Sequence, residues 1–125
     1  MEQSSSQRAL ENLHVWCHAR KFVASIYVLL RDNKDYGFKD QIQRAAVSIM
    51  NNIAESFDSG SDSLFLRYLH IAKGSCSEVR SMLYLCEDLG YCTAEQESDF
   101  QTSLYTVSSE IFKLIKFLQN KQKPI

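Results

Sequence analysis

The chain has 125 residues, 45% of them in the hydrophobic class and 23% charged, with a net charge of −1. That is enough for one continuous core and well away from the composition of disordered chains. The near-neutral balance excludes the simplest case for a nucleic-acid partner, a strongly basic domain. The longest strongly apolar run, 26–30, is far short of the roughly 20 residues of a membrane span, and the opening MEQSSSQ lacks the apolar region of a signal peptide. A cytoplasmic, membrane-free protein is therefore expected.

Glycine and proline punctuate the chain into four stretches: Gly37, Gly60 and Gly90 fall where long helical patterns break, and Pro124 lies at the end. The first predicted helix, about 13–32, places Val15, Ala19, Phe22, Val23, Ile26, Leu29 and Leu30 at three- and four-residue steps, with Asn12 as its expected N-cap. The second, about 39–57, carries Ile42, Ala45, Ala46, Ile49, Ile53 and Phe57 on one stripe. The third, about 62–89, starts at a Ser61 or Asp62 cap, runs its stripe from Phe65 through Leu69, Ala72, Cys76, Val79 and Leu83 to Cys86, and stops at Gly90. The fourth, about 94–120, opens on Thr93 and Gln96 in capping-box spacing and carries Phe100, Leu104, Val107, Ile111, Leu114, Ile115 and Leu118. Residues 1–10 and 121–125 are expected to be mobile ends. Long helices joined by short connections lie antiparallel, so the expected fold is all-α: one up-and-down four-helix-bundle domain spanning 1–125.

Several large apolar side chains fall off these stripes: Trp16 and Tyr27 on the first helix, Val47 and Met50 on the second, Ile71 and Met82 on the third, Tyr105 and Phe112 on the fourth. Flanking apolar residues on every helix predict a surface for self-association.

The runs NLHVWCHAR, DQIQRAAVSIMNNIAESF and LFLRYLHIAKGSCSEVRSMLYLCEDLGY resemble the ribosomal intervening-sequence proteins, also described simply as four-helix-bundle proteins, over about 11–118. The resemblance implies a bundle assembled into a ring-like homopentamer. It also implies a distant relationship to the accessory variability protein of diversity-generating retroelements, a basic pentamer that works beside a reverse transcriptase and RNA, so RNA or an RNA-handling protein becomes a partner to consider. The chain departs from the family pattern after Glu55: where a Gly and a basic turn are usual it has Ser-Phe-Asp-Ser-Gly, and Asp58 with Asp62 makes the turn acidic, a poor docking point for phosphate. Met50 stands where the family often has Pro, which predicts an unbroken second helix.

The polar positions within the matching blocks are Arg44, Ser48, Asn52 and Glu55 on helix two and Arg67, Gly74, Ser75 and Glu78 on helix three. In an antiparallel pair, Glu55 would face Arg67, Ser48 would face Gly74 and Arg44 would face Glu78. The helical wheel instead sets Arg67, Gly74 and Glu78 opposite the core stripe, so the expectation is a place at the bundle edge or between subunits. No nucleophile with its base accompanies Glu55 and Glu78, and Ser75 and Cys76 in GSCSE lie in a helix rather than on a strand-to-helix elbow, so no catalytic site is predicted. His14 and His18 share a helical face, as a metal-binding pair would, but with Lys21 and Ser25 beside them a solvated face is the expectation, with no metal and no cofactor. Cys17, Cys76, Cys86 and Cys92 have no metal or redox-motif spacing and are expected to be buried or inert thiols. Lys113, Lys116, Lys121 and Lys123 concentrate positive charge near the last helix's end, favourable to its dipole and the one candidate for phosphate contact. The functional expectation is a non-enzymatic homo-oligomeric scaffold or adaptor, with a protein-interaction module free of nucleic acid as the alternative.

Overall fold

The structure, a computed structural model, describes residues 10–122. Among them are four long helices and no strand: α1 (His14–Leu29), α2 (Tyr36–Asp58), α3 (Asp62–Asp88) and α4 (Ala94–Gln122), with a short helical turn at 10–12 ahead of α1. Each helix packs on the next in the chain, and α4 closes back on α1. Cross-helix contacts show antiparallel neighbours throughout. Phe57 meets Phe65, Ser48 meets Ser75 and Tyr91 meets Asp35, while His18 reaches Glu110 and Phe22 reaches Phe100.

The predicted stripes become the core. Ile26, Leu30, Ile42, Ile49, Ile53, Leu69, Leu83, Ile111, Val79 and Val107 are the large side chains sealed within it. Helix α2 runs through Met50 without a break, as expected where the i→i−4 ladder meets no proline.

The helix ends are set by their caps. Gln96 and Thr93 bond reciprocally, the Thr93 N–H donating to Gln96 Oε1 at 2.9 Å and the Gln96 N–H to Thr93 Oγ1 at 3.0 Å, which is the capping box read from the sequence. Ser61, not Asp62, caps α3 by accepting from the Leu64 N–H at 3.2 Å. Helix α3 ends in a Schellman turn: Gly90 adopts φ +75°, the Tyr91 N–H donates to the Cys86 carbonyl and the Gly90 N–H to that of Glu87, both at 2.9 Å.

Other boundaries move. Leu13 precedes α1 and caps it without a side-chain bond, so Asn12 is not the cap. Helix α1 stops at Leu29 rather than near 32, and α2 begins at Tyr36 rather than near 39. The cause is Asp35, whose Oδ1 accepts from the Phe38 N–H at 3.2 Å, while Asn33 Oδ1 accepts from the Asp35 N–H at 2.8 Å. Gly37 thus lies inside a helix. At the other end α4 continues through Gln122, past the expected 120, so Lys121 is helical, and the remaining residues expected to be mobile, 1–9 and 123–125, lie outside the described residues.

Candidate functional site

Small residues let α2 and α3 approach closely: Ala45, Ser48 and Asn52 on one side, Ala72 and Ser75 on the other. Ser75 Oγ donates to Ser48 Oγ at 2.8 Å across the seam, and the Asn52 amide donates to Ser48 Oγ at 3.0 Å and to the Ser48 carbonyl at 2.8 Å. The expected partner of Ser48 was Gly74. The register places Ser75 there instead, and Gly74 is exposed, with nothing that a Cβ would meet within 4 Å.

The two ion pairs that the numbering alone would allow across this seam are not formed. Arg44 Nε bonds to Asp40 Oδ2 at 2.9 Å on its own helix, both side chains well exposed, and Glu55, Arg67 and Glu78 are exposed. The wheel explains the difference: these residues point away from the seam that their numbering pairs.

The apolar surface divides. Met82 is buried at 7% exposure, which corrects its assignment to the outer surface. It lies beside Val79 and Leu83 on the flank of α3 that carries Ser75, where the close approach of α2 extends burial round the helix. Trp16, Val47 and Met50 are half-buried and pack against the core, Trp16 also lying under the Arg20 guanidinium at 5.6 Å. Tyr27, Ile71, Tyr105 and Phe112 are exposed.

On α3 the exposed apolar residues form a line. Leu64, Ile71 and Leu85 are 40%, 43% and 44% exposed and stand seven and then fourteen residues apart, with Glu78 at the intervening seven-residue position and Leu89 continuing the face. At about 100° per residue, Arg67, Gly74 and Glu78 fall within the same outward arc. The face therefore presents a row of aliphatic side chains, one cation, one carboxylate and a side-chain-free notch midway along the helix. Leu64 and Leu85 escaped the sequence reading, although their spacing from Ile71 was the available signal.

The basic end of α4 is largely committed within the chain. Lys121 Nζ pairs with Asp62 Oδ2 at 3.3 Å, which ties the tail to the acidic turn before α3. Lys116 and Lys73 hold their ammonium groups 5.7 and 5.5 Å from the Phe112 ring centroid. Lys113 lines a surface hollow with Glu110 and His14. Lys123 lies outside the described residues.

His18 Nδ1 bonds Glu110 Oε1 at 2.5 Å across the α1–α4 seam, and the His14 and His18 rings stand 6.2 Å apart. That bond joins two helices and takes one His18 nitrogen. Among the described residues no group of three His, Cys, Asp or Glu side chains is arranged to hold a metal. An open groove of about 440 Å³ runs along the same seam, floored by Phe22 and Phe100 and edged by Lys21 and Asp99. A second, of about 550 Å³, lies between α3 and α4, where Tyr84 and Tyr105 flank Arg80 and several hydroxyl groups.

Two features have no counterpart in the sequence reading. Tyr91 Oη donates to Asp35 Oδ2 at 2.6 Å, clipping the α3–α4 turn to the cap of α2 while the Tyr91 ring packs edge-on against Phe38. Tyr91's hydrogen bond, then the Phe38 N–H, hold the Asp35 carboxyl below the usual range, and the same bond to Asp35 raises the Tyr91 phenol. Glu97, by contrast, sits on the core-facing side of α4 at 9% exposure, and its Oε2 has no hydrogen-bond partner.

These features define an antiparallel helical bundle with exposed apolar side chains along the outer face of α3 and others, Tyr105, Phe112 and Phe117, on α4. No described helix is long and apolar enough to cross a membrane. The chain belongs to the 23S rRNA-intervening sequence protein family, which it matches over residues 11–119. It is similar to a protein of unknown function from the S23 ribosomal protein family of Bacteroides thetaiotaomicron, known from a crystal structure: TM-score 0.77, 26% identity, 82% of this chain and 98% of that one covered. A search of functionally curated proteins gives no significant match.

Proposed function

We propose that this protein is a non-enzymatic, cytoplasmic bundle subunit that assembles with copies of itself, most simply into a ring of five, and serves as a scaffold or adaptor for RNA or an RNA-handling protein. The observation that carries the assembly is the α3 face. Leu64, Ile71 and Leu85 lie in one exposed row beside Arg67, Gly74 and Glu78, which joins apolar area, complementary charge and a place for close backbone approach on one surface. The family's name connects it with ribosomal RNA, and that supports the RNA arm of the reading. The absence of a catalytic role is part of the proposal.

Replacing both Ile71 and Leu85 by Glu puts two carboxylates into the row. Expected is loss of assembly with helical circular dichroism retained, and an assembly unaffected by the double substitution would overturn the assigned face.

One observation favours the alternative of a protein-interaction module without nucleic acid: Lys116 and Lys121 are engaged inside the chain, and the turn before α3 is acidic. Capturing the protein from cells with and without nuclease separates the two. Partners lost on nuclease treatment, with binding weakened when Lys113, Lys116, Lys121 and Lys123 become Gln, support RNA contact. Partners that survive nuclease support the protein-only module.

A further inference from the structure

The seam between α3 and α4 carries positive charge that its surroundings do not cancel. Lys73, Arg80 and Lys116 are exposed along it, and among the described residues none of the three is ion-paired, whereas Arg44 and Lys121 are matched to Asp40 and Asp62. Among the described residues that line the open groove of about 550 Å³ on this seam, none is a carboxylate. Its floor is apolar, formed by the buried Cys76 and Leu104, and Ser77, Ser98 and Ser108 edge it with hydroxyls. The Gln101 side chain donates to the Arg80 carbonyl at 3.1 Å and holds the two helices in register here. A net charge of −1 averages over this patch and hides it.

Aromatic rings alternate with these cations. Tyr84 and Tyr105 stand 52% and 73% exposed at the groove, and Phe112, 47% exposed, lies about two turns beyond Tyr105 along α4. Both Lys73 and Lys116 hold their ammonium groups over the Phe112 ring, at 5.5 and 5.7 Å from its centroid. A cation over a ring keeps its charge and its outward N–H donors, so Phe112 positions the two lysines without neutralising them. On α3 the distance from Tyr84 through Arg80 to Lys73 is about 16 Å along the helix axis.

We infer that this groove binds single-stranded RNA, with bases stacked on Tyr84, Tyr105 and Phe112 and phosphates held by Arg80, Lys73 and Lys116, an inference that rests on the RNA arm of the function proposed above. The contact then lies on the α3–α4 seam and shares only Lys116 with the basic end of α4. Exposed rings beside cations select a single strand, because only unpaired bases offer free faces, and they read little sequence, because every base has one. A phosphate chain supplies the charge that three cations without carboxylate partners lack. On the α3 wheel this face lies about a third of a turn from the row of Leu64, Ile71 and Leu85, so a strand and a second copy would occupy different flanks of the helix.

The test is fluorescence anisotropy of a labelled oligouridylate of about ten nucleotides, a length within the range of such sites, titrated with the full-length chain at several salt concentrations. Expected is binding to the single strand and not to its duplex with oligoadenylate. The slope of log affinity against log salt should be near −2, about 0.7 for each of three phosphate contacts. Tyr105→Leu, at an exposed position, should weaken binding roughly fivefold or more, while Tyr105→Phe, which keeps the ring, should leave it near wild type. Arg80→Gln should make the salt slope shallower by about 0.7. Equal affinity for the duplex, or binding that both Tyr105→Leu and Arg80→Gln leave unchanged, would overturn the groove. Strand binding lost instead when Lys113, Lys121 and Lys123 become Gln would overturn it too, but would keep the RNA reading and move its contact to the tail. A wild-type chain that binds no single strand also overturns the groove, and nuclease-dependent capture then decides the RNA reading by itself. Self-association weakened by Tyr105→Leu would overturn it by assigning the seam to a second copy.

Discussion

Gly74→Ala separates the subunit from its assembly. Gly74 sits mid-way along α3 in ordinary helical backbone, and the space where a Cβ would stand is open, with no atom of the chain within 4 Å. Within one subunit the glycine has no packing role, and alanine should relieve the entropic penalty of an interior glycine, about 0.5–1 kcal/mol. For a chain of this length that is a rise of roughly 2–4 °C in melting temperature. If the α3 face is a contact between copies, the added methyl enters a packed interface, where overpacking costs about 1–3 kcal/mol, enough to weaken association roughly fivefold or more. Thermal melts at low concentration read the first effect and sedimentation across a dilution series reads the second. A subunit made less stable by Gly74→Ala would refute the open-space reading, and association unchanged by it would refute the placement of Gly74 in the contact.

The remaining predictions concern polar groups. Glu97→Gln should stabilise the fold by about 1 kcal/mol, because a buried carboxylate oxygen without a partner is replaced by a neutral amide; a loss of stability in urea denaturation would mean that the charge has a role. The Tyr91–Asp35 clip should depend on pH in both directions. The lowered Asp35 group contributes above the ordinary carboxylate pKa near 4 and loses that contribution as pH falls through its folded value, while the raised Tyr91 group contributes below about 10 and loses it as pH rises through its own. Tyr91→Phe should therefore lower the melting temperature at neutral pH and converge with the wild type at both extremes; a constant offset across the range would count against the clip. A double-mutant cycle on Ser48→Ala and Ser75→Ala should give a coupling of about 0.5–1.5 kcal/mol, and strict additivity would argue against the hydrogen bond between them.

How much of this was legible in the sequence can be followed residue by residue. The core stripes of all four helices could be read because a 3.6-residue period survives any choice of neighbour, and Thr93–Gln96 and Gly90 could be read because local backbone chemistry decides caps. Asp35 was passed over because Gly37 looked like a break, whereas the Asn33 and Asp35 side chains start the helix ahead of it. Met82 was misplaced because a helical wheel gives direction but not how closely the neighbouring helix leans, and that depends on small residues such as Ala45, Ser48, Ala72 and Ser75. For Arg67, Gly74 and Glu78 the helical wheel, which turned them away from the core stripe, was a better guide than the numerical pairing across the α2–α3 turn. The Tyr91–Asp35 clip depends on where two turns meet in space, which no periodicity encodes.

The proposed assembly has a direct measure in the molar mass of the intact protein in solution, by light scattering coupled to size-exclusion chromatography and by native mass spectrometry. A single species at five copies of the 14.4 kDa chain, about 72 kDa, is the predicted result. A species of 14.4 kDa that persists as protein concentration is raised would contradict it.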